Sequence, residues 1–289
     1  MNPISFLTQM VRIAVPYLFA ASGGAIAERA GIISLGLEGY MLTGAFSATL
    51  GAHYTGSAWI GVLAGMFGGL IFGLIHAVAS IRYRADQVVT GIAINLLAIG
   101  VTRFFLKLAF ESSSNSPRIA GFGGNVSALG FDNPLLWMGL LVAPVLAFLM
   151  YRTPYGLRVR AVGEHPAAAA SLGIKTKLVQ YVAVALSGIL AALGGVFLAL
   201  DQHQFTDQMT AGRGFIALAA VIFGRWDPLR AGVACLLFAA AETFQIQLQG
   251  SQAIPSQFVA MIPYVLTIVA LAGVVGRTRP PAALGRAEA

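Results

Sequence analysis

Long apolar runs broken by short polar or basic clusters recur along this chain. Runs near residues 8–26, 34–53, 58–80, 88–110, 134–152, 178–200, 230–249 and 258–276 are each long enough to cross a bilayer as a helix, since a crossing takes roughly 20 mostly apolar residues. A further run, 214–224, is too short to cross alone and reads as half of a broken helix. The pattern predicts an all-α, polytopic transmembrane bundle of about 8–10 membrane segments. The first run has no basic cluster before it, contains Arg12, and meets no small-residue cleavage site before Glu28, so it reads as a retained span and not a cleaved signal. Residues 111–133 are rich in Ser, Gly and Asn and predict an extramembrane loop or short re-entrant element. Residues 1–276 therefore form a transmembrane domain with one long polar loop at 153–177. Residues 277–289 form a Pro/Ala/Arg-rich tail that reads as disordered.

Composition agrees. Apolar residues make up 57% of the chain and charged residues 10%, with a mean hydropathy of +0.79. Soluble domains carry roughly 25% charged residues, so this chain has too few charges to coat a water-facing surface. The net charge of +7 raises nucleic acid as a partner. The placement of the cations excludes it, because they sit in clusters between apolar runs, which is how membrane orientation is set. One set of alternate loops holds Arg29, Arg82, Arg84, Arg152, Arg158, Arg160, Lys175, Lys177, Arg225, Arg230, Arg277, Arg279 and Arg286. The other holds only Arg103, Lys107, Arg118 and Arg213. This bias predicts that the first set is cytoplasmic, with the N-terminus outside and the C-terminus inside, provided 214–224 counts as one crossing. The single cysteine, Cys235, excludes an internal disulfide. His53, His76, His165 and His203 show no metal-ligand spacing, so no metal site is expected. Many glycines fall within spans, among them Gly61, Gly65, Gly68, Gly69 and Gly73, and close helix packing in lipid accounts for most of them.

The polar loop reads TPYGLRVRAVGEHPAAAASLGIKTK, Thr153 to Lys177. Within it, Pro166 suits a first helical turn, four alanines follow, and Gly173 suits a C-terminal cap. These predict a short helix over Glu164–Leu172, stiffly joined to two spans. An ordinary polar connector between spans is the plain alternative.

The order G-L-R-x-R-A-x-G-E-x-P-x-A-A-x-x-x-G-I resembles the coupling loop of bacterial ABC importer permeases, the family that includes permeases for branched-chain amino acids, ribose-type sugars and nucleosides. The matching positions are Gly156, Arg160, Ala161, Gly163, Glu164, Pro166, Ala168, Ala169, Gly173 and Ile174; His165 stands where the family usually has Asn. AERAGIISLGLEGYMLTGAFSA (27–48), ADQVVTGIAINLLAIGVTRFF (85–105) and AGRGFIALAAVIFGRWDPLRA (211–231) resemble further blocks of the family, so the likeness spans nearly the whole chain. The ERAGIISLGLEG form is most similar to the nucleoside-uptake subgroup, in which two different permeases pair, and this chain resembles the shorter one. The resemblance implies an inner-membrane, multi-pass subunit that pairs with a second permease, two ATP-binding subunits and an extracytoplasmic solute-binding protein. Gly156, Arg160, Gly163, Glu164, His165, Pro166, Ala168, Ala169, Leu172 and Gly173 would then dock on an ATP-binding subunit. A sugar or a branched-chain amino acid is the alternative cargo.

The residues add an independent point. Gly173-Ile174-Lys175-Thr176 lacks the Gly-Lys-Ser/Thr order of a phosphate-binding loop and follows no strand. No catalytic residues are expected and no cofactor on this chain; ATP and Mg would sit on partner subunits. An ion-coupled secondary transporter usually shows a charged relay in its spans, and here the acids are few, chiefly Glu38 and Glu242. A lipid-acting membrane enzyme would need a metal or nucleophile constellation that is absent from the sequence.

Polar residues at membrane depth are candidate pathway residues. Glu38 can line the inner end of a pathway, or else pair with Arg29 or cap a broken helix. Asn95 can hydrogen-bond a base or ribose, or bridge two helices. Thr90 lies near the same face but can bond its own backbone. Glu242, Gln245 and Gln249 form a polar stripe on one helical face. Ser34 and Phe215 begin two Gly-flanked segments, GIISLGLEG and GRGFIALAAVIFG, in similar places in the two halves. Interrupted helices at matching positions point to a pathway near the midplane. Phe215 can stack on a base or simply pack.

Overall fold

A computed structural model describes residues 3–122, 133–249 and 279–286. The helices are α1 (Pro3–Arg29), α2 (Leu37–Thr55), α3 (Ala58–Ala77, extended by a π-helical turn Val78–Arg82), α4 (Gln87–Phe110), α5 (Pro134–Arg152), α6 (Pro154–Glu164), α7 (Pro166–Ser171), α8 (Thr176–Gln202), α9 (Arg213–Phe223) and α10 (Pro228–Gln249). Every expected span within the described residues is present to within a few residues; the run 258–276 lies outside them. Six of the described helices are long and apolar enough to cross a membrane. Among the described residues there is no strand beyond a single bridge, Asn115 to Thr206.

α1 and α8 form the buried centre, with α2 and α3 packed on α8 and α10 packed on α1. The close approaches are made by glycines. A Cβ on Gly195 would sit on the Met41 carbonyl, and one on Gly188 would sit on the Gly69 carbonyl. Small residues at such crossings bring backbones together where lipid offers no hydrophobic drive to association. The outer faces are apolar: Leu63 and Phe67 of α3, Leu96 and Phe104 of α4, and Leu141 and Phe148 of α5 are all exposed. That is the reverse of a water-soluble fold, and it suits hydrocarbon.

The ends of the helices sort by charge. Arg29 at the end of α1 donates from Nε to the Trp226 carbonyl (2.9 Å), and its Nη1 lies 3.9 Å from Glu164. This joins the C-termini of α1 and α9 to α6 at one end of the bundle, here termed the basic end. At the opposite end, Arg12 pairs with Asp201 (2.8 Å) and Arg103 with Asp207 (2.8 Å). Arg213, counted by sequence among the loop cations, instead begins α9 and pairs with Glu242 of α10 at 3.3 Å.

Two local expectations are corrected. The loop 153–177 holds two helices, not one over Glu164–Leu172. Thr153 caps α6, its Oγ1 accepting from the Gly156 N–H (3.2 Å), with Pro154 in the first turn. Glu164 ends α6. Pro166 disfavours the helical conformation of the residue before it, so the chain bends at His165 (φ −148°, ψ 82°) before α7 starts. The tail also departs from the disorder expected of it. Residues 279–286 form a turn whose Ala283 N–H donates to the Gly163 carbonyl (2.9 Å) and whose Gly285 N–H donates to the Gly31 carbonyl (3.2 Å). Ala283 is buried there, and this burial together with two backbone bonds orders a segment too short to fold alone.

Candidate functional site: a broken-helix junction and a coupling element

The chain is non-helical between α1 and α2, and again over residues 203–212 before α9. The N-termini of α2 and α9 meet, and Glu38 joins them. Its Oε1 accepts from Thr210 Oγ1 (2.6 Å) and the Gly212 N–H (2.8 Å), and its Oε2 accepts from the Gly214 N–H (2.7 Å). A helix N-terminus exposes unpaired N–H groups and a partial positive charge. α9 has no cap of its own, so the carboxylate of another helix supplies one. Close packing enforces the arrangement, because Gly214 has no room for a Cβ against the Glu38 backbone. The approach to α9 is tightly turned: Gln208 and Ala211 hold left-handed φ of 54° and 47°, unusual for residues with a Cβ.

Asn95 braces the other side. Its Oδ1 accepts from the Gly39 N–H (2.8 Å) and its Nδ2 donates to the Leu35 carbonyl (2.9 Å), which fixes the unwound segment before α2. Glu38, Asn95 and Phe215 line one cavity of about 220 Å³, together with Leu42, Ile99 and Thr210. Phe215 is about half-exposed. The structure thus brings together three of the seven predicted pathway residues, from three separate helices. Exchange of Asn95 for leucine removes both backbone bonds while keeping the volume. Two neutral bonds at about 1 kcal/mol each predict roughly a thirtyfold loss of any activity that depends on this junction, read as initial uptake rate at matched protein level.

The other four lie elsewhere. Thr90 Oγ1 donates to the Asp86 carbonyl (2.7 Å), a bond within its own helix. Ser34 is buried, its N–H donating to Glu28 Oε1 (3.2 Å) while its hydroxyl has no partner among the described residues. Glu242 pairs with Arg213 and accepts from the Tyr17 hydroxyl. It lines a separate cavity of about 600 Å³ with Arg12 and Asp201, near the end opposite the basic one. Gln245 lines neither cavity; the Gln249 side chain lies outside the described residues. Glu28, which also accepts from Trp226 Nε1, and the Tyr40–His76 hydrogen bond are buried polar contacts the sequence did not expose. Their partners are 198 and 36 residues away, and only an acid within an apolar run marks Glu28.

At the basic end, α6 and α7 lie across the bundle. Gly156 sits against the Met150 backbone, and a Cβ on Gly163 would sit on the Arg29 carbonyl. The Arg160 guanidinium stacks 5.1 Å over Tyr151. Burial pushes the neighbouring Tyr155 hydroxyl up to about 12. Glu164 reaches Arg29 and accepts from the Ala282 N–H (3.4 Å). His165 caps α7, its Nδ1 accepting from the Ala168 N–H (3.2 Å). Gly173 ends α7 at φ 79°, with the Ile174 N–H bonded to the Ala169 carbonyl (3.2 Å), a left-handed C-terminal cap that favours glycine. Ala169 faces inward, Ala168 is exposed, and Leu172 stands 82% exposed at the tip.

A polytopic bundle with broken helices meeting at an inner cavity, and a stiff element across one end, is the architecture of a transport permease. The chain matches the family described as "Branched-chain amino acid transport system / permease component" over residues 6–271, and it belongs to that family. It is 39% identical over 295 residues to the guanosine ABC transporter permease protein NupQ of Bacillus subtilis, covering 94% of this chain and 92% of that one. It is 35% identical to the nucleoside ABC transporter permease protein NupC of Lactococcus lactis, covering 96% and 95%. Among solved structures, an ABC transporter of the metal-chelate type in an inward-facing conformation superposes with a TM-score of 0.56, covering 92% of this chain and 85% of that one, at 15% identity. That likeness speaks for the fold. This chain is a multi-pass membrane permease subunit.

Proposed function

We propose that the chain is one permease subunit of an ATP-driven importer whose cargo is a nucleoside, moved by alternating access. Near full-length similarity to permeases named for guanosine and nucleosides carries the cargo. The junction cavity is chemically suited to it: Phe215 offers a face for a base, Asn95 an amide, and Glu38 a carboxylate for hydroxyl or amine donors. The basic end faces the cytoplasm, as the distribution of Lys and Arg favours, in a bacterial inner membrane. Two ATP-binding subunits hold ATP and Mg, and a second permease completes the pathway. A solute-binding protein delivers cargo from the far side. Gly156, Arg160, Gly163, Glu164, His165, Pro166, Ala168, Ala169, Leu172 and Gly173 form or support the docking element, with Leu172 as its knob.

The route of coupling follows from contacts already described. Movement of α6 acts on Arg29 through Gly163 and Glu164, and on Gly31 through the C-terminal turn. Both bear on the segment leading to Glu38. Reconstitution of the complete complex tests the cargo: ATP-dependent uptake of labelled guanosine is expected, and uptake of ribose or leucine with guanosine ignored would refute it.

His165 serves as an N-cap, a place where Asn ranks highest. His165→Asn is therefore expected to retain full nucleoside-stimulated ATPase activity. His165→Ala should lose about 1 kcal/mol of local helix stability, seen as several-fold weaker stimulation.

A further inference from the structure

At the basic end, the π-helical turn after α3, the start of α4, the first turn of α8 and the C-terminal turn converge on a small recess. Ser80, Arg84, Gln87, Lys177, Gln180 and Arg286 line it above two isoleucines. Every one of those polar side chains can donate a hydrogen bond, and none is an acid. Ser80 is buried, and its hydroxyl finds no partner among the described residues. A helical serine ordinarily satisfies its hydroxyl on a carbonyl a turn earlier, so this donor is unspent and faces the recess. Gln87 Oε1 is occupied by the Ile33 N–H (2.7 Å), leaving its NH₂ group as the outward-facing chemistry. The enclosed part holds about 10 Å³, room for about one water-sized atom.

We propose that this recess binds a phosphate group. One phosphate oxygen enters and accepts from Ser80, while the others stay in the mouth, held by Arg84, Lys177 and Arg286. The inner space is too small for a whole anion, and three cations in the mouth need a ligand with several charged oxygens. Guanidinium pairs with phosphate in bidentate fashion, and lysine adds a point charge. The recess lies at the ends of membrane helices, the level of lipid headgroups, where basic pockets between helices take anionic lipids. A phospholipid headgroup and a free phosphate share this chemistry. In either case the ligand ties Arg286, and with it the turn bonded to Gly163 and Gly31, to α3 and α8. It thereby steadies the element that carries Leu172.

The test uses the purified transporter in nanodiscs of three kinds: phosphatidylcholine alone, phosphatidylcholine with phosphatidylglycerol, and phosphatidylcholine with inorganic phosphate added. A rise in melting temperature is expected in the second, the third or both; the second alone identifies a lipid, the third alone a soluble phosphate. The double change Lys177→Gln and Arg286→Gln, at exposed positions outside the core, should remove most of the rise. Ser80→Ala should reduce it, and Arg152→Gln, a cation elsewhere on the same end, should leave it intact. No rise with either probe, or an equal rise in the double variant, overturns the proposal.

Discussion

Replacing Glu38 with alanine is expected to bring nucleoside uptake down to background while the protein still inserts and purifies as a single species. The carboxylate accepts three hydrogen bonds, two of them from backbone N–H groups at the N-terminus of α9, those of the capping Gly212 and of Gly214. With alanine, those donors face a cavity wall with nothing to bond. Leaving a buried donor unmade costs about 1–3 kcal/mol, and the bonds lost here were to a charge, the stronger kind. Two orphaned N–H groups therefore weaken the α2–α9 junction by several kcal/mol, enough to shift a conformational balance by more than about a hundredfold. Folding survives because α9 keeps its packing on α1 and α10. Glu38→Gln retains one acceptor oxygen and should fall between the two. Uptake in proteoliposomes measures the effect, with size-exclusion profiles as the folding control. Wild-type uptake by the alanine variant would mean the junction is not on the transport path.

A leucine at Gly163 is expected to break the link between ATP hydrolysis and transport. The Gly163 backbone lies directly on the Arg29 carbonyl, with no room for a side chain, and its own carbonyl receives the Ala283 N–H. A branched side chain there must lift α6 from α1 and pull it from the C-terminal turn. The predicted outcome is near-basal ATPase activity that nucleoside and binding protein no longer stimulate, together with loss of uptake. Gly163→Ala should show the same direction with smaller size, since one methyl demands a smaller displacement.

Spans were legible because hydrophobic length alone decides them, and even α9 stood out as too short to cross. The helix start and stop in the 153–177 loop were legible through its glycine, proline and alanine signals. Its division at His165 followed from Pro166, whose effect on the preceding residue outweighs the helix-favouring alanines. The candidate site was less legible. Glu38, Asn95 and Phe215 meet because two helix breaks place them at one level. Thr90, though polar and nearby in sequence, spends its hydroxyl on its own helix. The α10 stripe divided because Glu242 found a countercharge in Arg213, read by sequence as a loop cation. The ordering of residues 279–286 depends on carbonyls of Gly31 and Gly163, more than 100 residues away, and no local pattern encodes such partners.

We propose that α6–α7 receives the stroke of an ATP-binding subunit. With Cys235 replaced by serine, a single cysteine introduced at Leu172 reports on it directly. Crosslinking with a short bifunctional reagent in the intact complex should join this chain to the ATP-binding subunit, in a yield that changes when ATP is added. The same cysteine placed at Leu141, on the apolar outer face of α5, should give no such product. A Leu172 crosslink that is absent, or that goes only to the second permease, would contradict this role for α6–α7.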